Sequence, residues 1–328
     1  MPTGKLLAPA LLFWLALTSL NVPHCQAQNL RAATAASYIE RGNEWFAKRE
    51  YARAEADFTL AVATDPINAD AYYNRATARA ELGKLAESLQ DYDRALQLNP
   101  RFIEAWVNRG ALRYRLSDLD GAIHDNNKAL GLNPKLAKAW NNRGLARGGK
   151  GDYAGALADF DRVVELTPKS AEAYNNRGVV RFKLGDDDGA IRDQTQAIKL
   201  QPDFVEAWNV RGAARQLKGD LAGALSDYNQ AITLNLRFHN TWFNRGTLWK
   251  LKGEWTRAEA DFTEAIALQP QWADAHAQRG LVRLMQNRAA EAQQDFDRCL
   301  ELNPKSWASL EQKIAEVKRQ LAVTRARR

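Results

Sequence analysis

A period of 34 residues is the feature that most constrains the fold of this 328-residue chain. Prolines recur on one grid, and the single grid point without proline holds Leu236. The prolines are Pro66, Pro100, Pro134, Pro168, Pro202, Pro270 and Pro304. Counted from Ala35, eight units fit without insertion or deletion, over 35–68, 69–102, 103–136, 137–170, 171–204, 205–238, 239–272 and 273–306. Such a period is typical of a solenoid, in which each unit buries its apolar face against the next.

Each unit carries two helical patterns, which unit 171–204 shows clearly. The first runs over AEAYNNRGVVRFKL to Gly185, since glycine commonly ends a helix in a left-handed conformation. The second runs from about Asp187, where acids suit the positive helix N-terminus, to Leu200. Pro202 follows, because proline lacks the N–H that would continue the helix. Each unit is therefore predicted to be a helix-turn-helix, with turn glycines Gly83, Gly151, Gly185, Gly219 and Gly253.

Six positions of the unit carry a resemblance to a known family, and unit 239–272 fills all of them. They are Trp242, Gly246, Ala258, Phe262, Ala265 and Pro270, at positions 4, 8, 20, 24, 27 and 32. This pattern resembles the tetratricopeptide repeat, and the units cover 272 of the 328 residues (8 × 34). The resemblance implies an all-α, right-handed superhelical solenoid of helix-turn-helix repeats. It also implies an inner groove lined by positions 2, 5, 6 and 9 of the first helices.

Several residues depart from the family pattern at positions that the family uses for packing. Asn126 and Gln194 replace the aromatic residue at position 24 of their units. Ser88 replaces an alanine, and Cys299 stands where a small residue is usual. We therefore expect Cys299 to be a buried apolar side chain rather than a reactive thiol.

Two charged positions also depart from the family, because position 7 is arginine and position 23 is aspartate in every unit. The arginines are Arg41, Arg75, Arg109, Arg143, Arg177, Arg211, Arg245 and Arg279, and the aspartates are Asp57, Asp91, Asp125, Asp159, Asp193, Asp227, Asp261 and Asp295. They predict a ladder of ion pairs between helices or neighbouring repeats, in which Arg143, Asp159, Arg177 and Asp193 are structural. The alternative is a basic stripe for nucleic acid. Because each aspartate cancels the field of an arginine, we expect no nucleic acid partner.

Position 6 of the first helix is rich in asparagine, with Asn74, Asn108, Asn142, Asn176 and Asn244. The series resembles the asparagine ladder in the repeat superhelix of O-GlcNAc transferases, where amides hold the backbone of an extended peptide. An amide suits this task because it offers both donors and an acceptor. The five asparagines are therefore the candidate peptide-binding residues. The alternative is that each one braces its own repeat. Acids at position 2 favour basic or neutral segments, and these are Asp70, Glu104, Glu172, Glu206 and Asp274.

The stretch RGLARGGKGD, residues 143–152, resembles a phosphate-binding loop, since Gly144, Gly149 and Lys150 stand almost where that motif requires them. Gly151 replaces the hydroxyl residue that would follow the lysine, and no predicted strand precedes the loop. The stretch is better explained as the end of a first helix, so no nucleotide cofactor is expected. Gly148 and Gly149 within that helix predict a locally weak repeat.

Residues 1–27 have the pattern of an export signal. Lys5 precedes the apolar run LLAPALLFWLALTSL, and Cys25-Gln26-Ala27 forms a small-x-small cleavage site before Gln28. The alternative is an uncleaved anchor, although the run is shorter than the roughly 20 residues of a membrane span. The predicted location is the periplasm, the cell envelope or the exterior. Residues 28–34 are a short lead-in to the repeats.

Residues 307–328 follow the last repeat and are predicted to form a capping helix with a basic tail. Trp307, Leu310, Ile314, Val317 and Leu321 recur on one helical face, which would cover the open end of the solenoid. Membrane contact is expected only through this tail or an uncleaved N-terminal segment. The open end of the first unit leaves a homo-oligomer possible.

Two classes of function remain for such a chain. The first is a non-catalytic scaffold of the cell envelope or exterior that binds extended segments of other proteins in its groove. The second is an enzyme, for which the 22 residues after position 306 leave no room, and no catalytic constellation stands out. Two cysteines and four scattered histidines do not form a metal site. The alternatives are binding of envelope glycans, with Tyr73 and Phe243 as groove aromatics, or a regulatory subunit of an envelope enzyme complex.

Overall fold

The computed structural model describes residues 24–326, and every regular element within that range is a helix. The helices divide between two compact units, of which the first ends at Leu166 and the second begins at Thr167. Across the described range, every helix is too short or too polar to span a membrane. The predicted fold class, an all-α solenoid of helix-turn-helix repeats with a C-terminal capping helix, is confirmed.

Within residues 24–166 the first unit contains eight helices in four antiparallel pairs. They are α1 (His24–Ala47), α2 (Tyr51–Thr64), α3 (Ala69–Glu81), α4 (Leu85–Leu98), α5 (Ile103–Arg115), α6 (Leu119–Leu132), α7 (Ala137–Gly149) and α8 (Tyr153–Leu166).

The second unit contains four further pairs and a terminal helix. They are α9 (Ala171–Lys183), α10 (Asp187–Leu200), α11 (Val205–Leu217), α12 (Leu221–Leu234), α13 (His239–Leu251), α14 (Trp255–Leu268), α15 (Ala273–Met285), α16 (Ala289–Leu302) and α17 (Trp307–Ala326). A single 3₁₀ turn, Pro304–Ser306, precedes α17.

The turns between paired helices follow from one backbone position. The five predicted turn glycines all have positive φ, between 74° at Gly253 and 83° at Gly219. Arg49, Ser117 and Asn287 hold the same position in three other repeats and adopt φ near 60° without the freedom of glycine. The turn is therefore set by the repeat geometry, and glycine only makes it less costly.

Small and large residues interlock inside each helix pair. In the seventh repeat Ala258, Phe262 and Ala265 of α14 are completely buried. Phe262 lies directly over Gly246 of α13, where an added Cβ would stand 3.0 Å from the ring. The absence of a side chain at Gly246 therefore lets the paired helices approach closely.

Four consecutive repeats begin their second helix with the same cap, an aspartate three residues before a glycine. Asp118 accepts a hydrogen bond from the backbone N–H of Gly121, and Asp186 does the same for Gly189. An added Cβ on Gly121 would stand 2.1 Å from the Asp118 carboxylate, so a larger residue here would force the capping side chain to shift. The pairs Asp152–Gly155 and Asp220–Gly223 repeat the arrangement.

Two of the departures from the family pattern leave buried polar atoms. Asn126 and Gln194 are fully buried where the other repeats have an aromatic ring. Asn126 donates to the carbonyl of Ala122, and Gln194 donates to that of Asn175. Within the described residues, Oδ1 of Asn126 and Oε1 of Gln194 have no hydrogen-bond partner. Both positions therefore carry a desolvation cost that the aromatic repeats avoid.

The terminal helix α17 covers the last repeat with most of its apolar face. Leu310 is buried, and Ile314, Val317 and Leu321 pack against the same cluster of α15 and α16. The prediction for Trp307 is wrong, because its side chain is 55% exposed. Trp307 is the first residue of α17, directly after the 3₁₀ turn, and lies outside the helix–helix contact. Cys299 is buried in this cluster, as expected.

Helix α1 begins at His24, so residues 28–34 form part of the first helix. The predicted cleavage site after Ala27 lies inside this helix, whereas residues 1–23 of the predicted signal lie outside the described range. The stretch that resembles a phosphate-binding loop forms the end of α7, which stops at Gly149. Lys150 follows as the C-cap residue and forms an ion pair with Asp120. A helix C-terminus presents carbonyl groups, which do not bind phosphate.

Candidate functional site

The arginine at position 7 joins the two helices of every repeat. Each guanidinium donates through Nε and Nη2 to both carboxylate oxygens of the aspartate at position 23 of its own repeat. Arg143 lies 2.6 Å from Asp159, and Arg177 lies 2.7 Å from Asp193. All eight aspartates are buried. The arrangement is bidentate, the geometry in which an arginine–carboxylate pair is strongest.

A second arginine completes this site in six of the eight repeats. It occupies position 11 of the first helix and donates Nη1 to the same buried aspartate, as Arg113 does to Asp125 at 2.9 Å. The others are Arg79, Arg147, Arg181, Arg215 and Arg283. Sequence reasoning missed this residue, although its 34-residue recurrence was visible. Repeats one and seven have Trp45 and Trp249 at this position instead.

Several position-7 arginines also donate a hydrogen bond to the preceding repeat. Arg109 donates to Asp93 at 2.5 Å, and Arg245 donates to Asn229 at 2.7 Å. In seven repeats the guanidinium also lies over the aromatic ring at position 4, as Arg143 does over Trp140 at 4.6 Å. The position-7 guanidinium groups thus contact the buried aspartate together with an aromatic ring, a side chain of the neighbouring repeat, or both. They therefore stabilise the scaffold and are not free to bind a ligand.

The surface formed by positions 2 and 6 of the first helices is the candidate binding site, and we call it the first-helix face. Its acids are solvent-exposed in both units, with Asp70 and Glu104 in the first and Glu172, Glu206 and Asp274 in the second. The five predicted asparagines at position 6 are half-buried. On this face the carboxylates are therefore more exposed to solvent than the amides.

Two of the asparagines brace neighbouring repeats. Asn108 donates to the Tyr73 hydroxyl of the preceding repeat at 2.9 Å and accepts from Lys138 of the following one at 3.0 Å. Asn244 donates to Oδ1 of Asn209 at 3.0 Å. In both cases the amide at position 6 meets the side chain at position 5 of the repeat before it. The bracing therefore acts between repeats, and not within one repeat.

The other three asparagines differ from one another. The amide nitrogen of Asn142 is buried without a partner among the described residues, because position 5 of the preceding repeat is Val107, which has no acceptor. For Asn74, position 5 of the preceding repeat is Ile39, which also has no acceptor. Asn74 makes no hydrogen bond within the described part of the chain. Asn176 already has an interaction partner in the protein. Asn74 and Asn142 are therefore the amides with capacity for a ligand.

The two aromatic residues suggested for sugar binding are engaged in packing. The Tyr73 ring lies 4.7 Å from Phe102 and 6.0 Å from Tyr92. Phe243 stacks on Trp272 at 4.4 Å and contacts Phe262 edge-on. Their rings pack within their own repeats, so the geometry favours no sugar platform.

Two glutamates on second helices bridge the first and last junctions of the array. Glu55 accepts from Arg79 at 3.0 Å and Lys84 at 2.6 Å, and Glu259 accepts from Arg283 at 2.9 Å and Arg288 at 2.5 Å. Burial alone would raise the pKa of each glutamate. The hydrogen bonds and the positive charges of the two cations together outweigh burial and lower both pKa values.

Asp261 is a buried carboxylate whose repeat lacks the second arginine. Its repeat has Trp249 at position 11, so Arg245 is its only cationic partner among the described residues. Burial raises the pKa of Asp261, and the hydrogen bond and charge of Arg245 offset only part of this effect. In six other repeats the equivalent aspartate also accepts a hydrogen bond from the arginine at position 11.

Comparison with protein families finds matches to tetratricopeptide repeat models over residues 69–102, 149–185, 171–204 and 252–306. Comparison with curated proteins finds no match. A tetratricopeptide repeat protein from Parabacteroides merdae is 25% identical with a TM-score of 0.62, and the alignment covers 76% of this chain and 99% of that one.

Two further structures share the fold at 18% identity. A chain of the APC/C hetero-tetramer Cut9-Hcn1 has a TM-score of 0.65, with 81% of this chain and 52% of that chain covered. The chain thus spans about half the length of that protein. PilF from Pseudomonas aeruginosa has a TM-score of 0.56, with 62% of this chain and 93% of that one covered.

The fold and the sequence matches together define a repeat scaffold of the class that binds other proteins. The chain belongs to the tetratricopeptide repeat family.

Proposed function

We propose that the chain is an exported, non-catalytic scaffold that binds extended segments of other proteins along its first-helix face. The observation that carries this proposal is the buried, unpartnered amide nitrogen of Asn142, together with Asn74, which makes no hydrogen bond within the described residues and lies on a face that also presents the exposed acids Asp70 and Glu104. A half-buried amide donor without a partner is costly, and a peptide carbonyl would satisfy it. The exposed carboxylates would favour basic or neutral segments.

Asn108 and Asn244 have a different role in this proposal. Because both amides are already used between repeats, they hold the spacing of neighbouring first helices. The ligand would therefore contact a subset of the asparagine series. This differs from a continuous ladder in which every member grips the peptide backbone.

The test is a crosslinking capture of partners from an extract of the source organism by the purified protein. The variant Asn74→Ala with Asn142→Ala should lose the partners that the wild type captures while keeping its helical circular dichroism. Gln90→Ala is the matched control, since this amide is exposed on the second helix α4. Equal capture by wild type and the double variant would place binding away from the first-helix face.

Export is tested separately by fractionation of cells that produce the full chain. We expect the protein outside the cytoplasm, with a mature N-terminus at Gln28. A cytoplasmic protein that retains Met1 would contradict export without affecting the binding proposal.

A further inference from the structure

A cavity of about 430 Å³ lies where the terminal helix α17 meets the last two repeats. Its apolar wall consists of Leu251, Trp255, Leu281, Met285 and Val317, contributed by four helices. Gln278 also lines it from position 6 of the last repeat, the position that holds asparagine in five other repeats. The cavity therefore continues the first-helix face of the second unit.

Two lysines face this cavity without an acidic partner. Lys250, in the last turn of α13, is half-buried and donates to the neutral Oε1 of Gln278 at 2.5 Å. Lys313 of α17 is exposed at the other side of the cavity. Among the ion pairs of residues 24–326, neither lysine takes part in one. Glu316 also lines the cavity, but it lies beyond ion-pair distance of both.

The electrostatics of Lys250 show that its charge is poorly compensated. Burial lowers the pKa of Lys250, the positive charge of Lys313 lowers it further, and Glu316 opposes these effects. The last carbonyls of α13 favour a cation here, but they do not replace a carboxylate. A half-buried cation beside an apolar wall gains most from an anion that enters with an apolar group.

We propose that this cavity, the α13–α17 pocket, binds an acidic side chain of an extended peptide, while the adjacent apolar side chain packs on Trp255 and Met285. This inference rests on the proposed function, because the peptide would reach the pocket along the first-helix face. The pocket would add an acidic preference to a face whose own acids favour basic residues. A preferred ligand would then carry opposite charges at different positions.

The test is a binding array of random nine-residue peptides with capped ends, probed with the labelled full-length protein. We expect peptides with Asp or Glu beside an apolar residue to bind roughly tenfold more strongly than their Asn or Gln counterparts. Lys250→Met and Lys313→Gln should remove this difference, and higher salt should weaken it. Because Lys313 is exposed, its variant should fold even if Lys250→Met does not.

Lys252→Met is the matched control, since this exposed lysine follows α13 outside the cavity and should keep the acidic preference. Peptide binding without acidic preference, or with the same preference in Lys313→Gln, would overturn the pocket and leave the proposed function standing. Absence of binding to every peptide on the array would count against both.

Discussion

Asp125 accepts hydrogen bonds from Nε and Nη2 of Arg109 at 2.9 and 2.7 Å, although its carboxylate is completely buried. A third bond comes from Arg113. A buried carboxylate of this kind is tolerated only when paired and hydrogen-bonded, and the arginines supply both. The bidentate pair recurs in all eight repeats and the second arginine in six of them, so the charges form part of the core that spaces the helices.

Removal of one such arginine should destabilise the fold strongly. Arg143→Leu should lower the free energy of unfolding by about 3 kcal/mol or more, because Asp159 stays buried with only Arg147 as partner. Arg162→Leu is the control, since Arg162 and Glu165 form an exposed pair worth about 0–1 kcal/mol. Urea unfolding followed by circular dichroism measures both. Equal urea midpoints for Arg143→Leu and wild type would show that the Arg143–Asp159 pair does not stabilise the fold.

The last junction should weaken in acid. Glu259 has a lowered pKa, so its stabilising contribution is complete above the ordinary value of 4.5 and is lost as the pH falls through the folded-state value. Glu259→Gln should therefore reduce the free energy of unfolding by about 1 kcal/mol at neutral pH and by nothing in strong acid. Glu264→Gln, at an exposed acid of the same helix, should have little effect at either pH. A pH-independent loss in Glu259→Gln would contradict the ion-pair account.

Restoring the aromatic residue in the third repeat should stabilise it. Asn126→Phe removes a buried acceptor without a partner, and we expect a gain of about 1–3 kcal/mol in the free energy of unfolding. Gly110 leaves room for the ring, as Gly144 does for Phe160. The reverse change, Phe160→Asn, should cost about 3–5 kcal/mol. Loss of stability in Asn126→Phe would show that the amide has a partner such as bound water.

The two glycines at the end of α7 should respond differently to alanine. An added Cβ on Gly148 would lie 4.0 Å from the nearest atom, so Gly148→Ala should raise the free energy of unfolding by about 0.5–1 kcal/mol. At Gly149 the Cβ would stand 3.2 Å from Leu119, and the gain should be smaller. Amide exchange across α7 measures the local effect. Slower exchange in neither variant would contradict a weak fourth repeat.

The repeat pattern predicted most of the fold because local signals and packing agree in each unit. The second helix of the fifth repeat runs over Asp187–Leu200, as predicted, and Gly185 has the positive φ of a helix end. The side-chain contacts between repeats could not be predicted from the repeat pattern. Asn108 donates a hydrogen bond to the Tyr73 hydroxyl, whereas the equivalent position in the repeat before Asn142 is Val107, which has no acceptor. The difference depends on which side chains face each other between neighbouring repeats. The spacing of 34 residues aligns equivalent positions but does not state which different positions touch.

Site-specific photocrosslinking tests the central claim, that the first-helix face holds extended segments of other proteins. Benzoylphenylalanine is placed at Asp70 or Glu104 on first helices, and at Gln90 on a second helix, since all three side chains are exposed. The account predicts crosslinked partner peptides from positions 70 and 104, and far weaker products from position 90. Partners crosslinked from position 90 but not from 70 or 104 would contradict it.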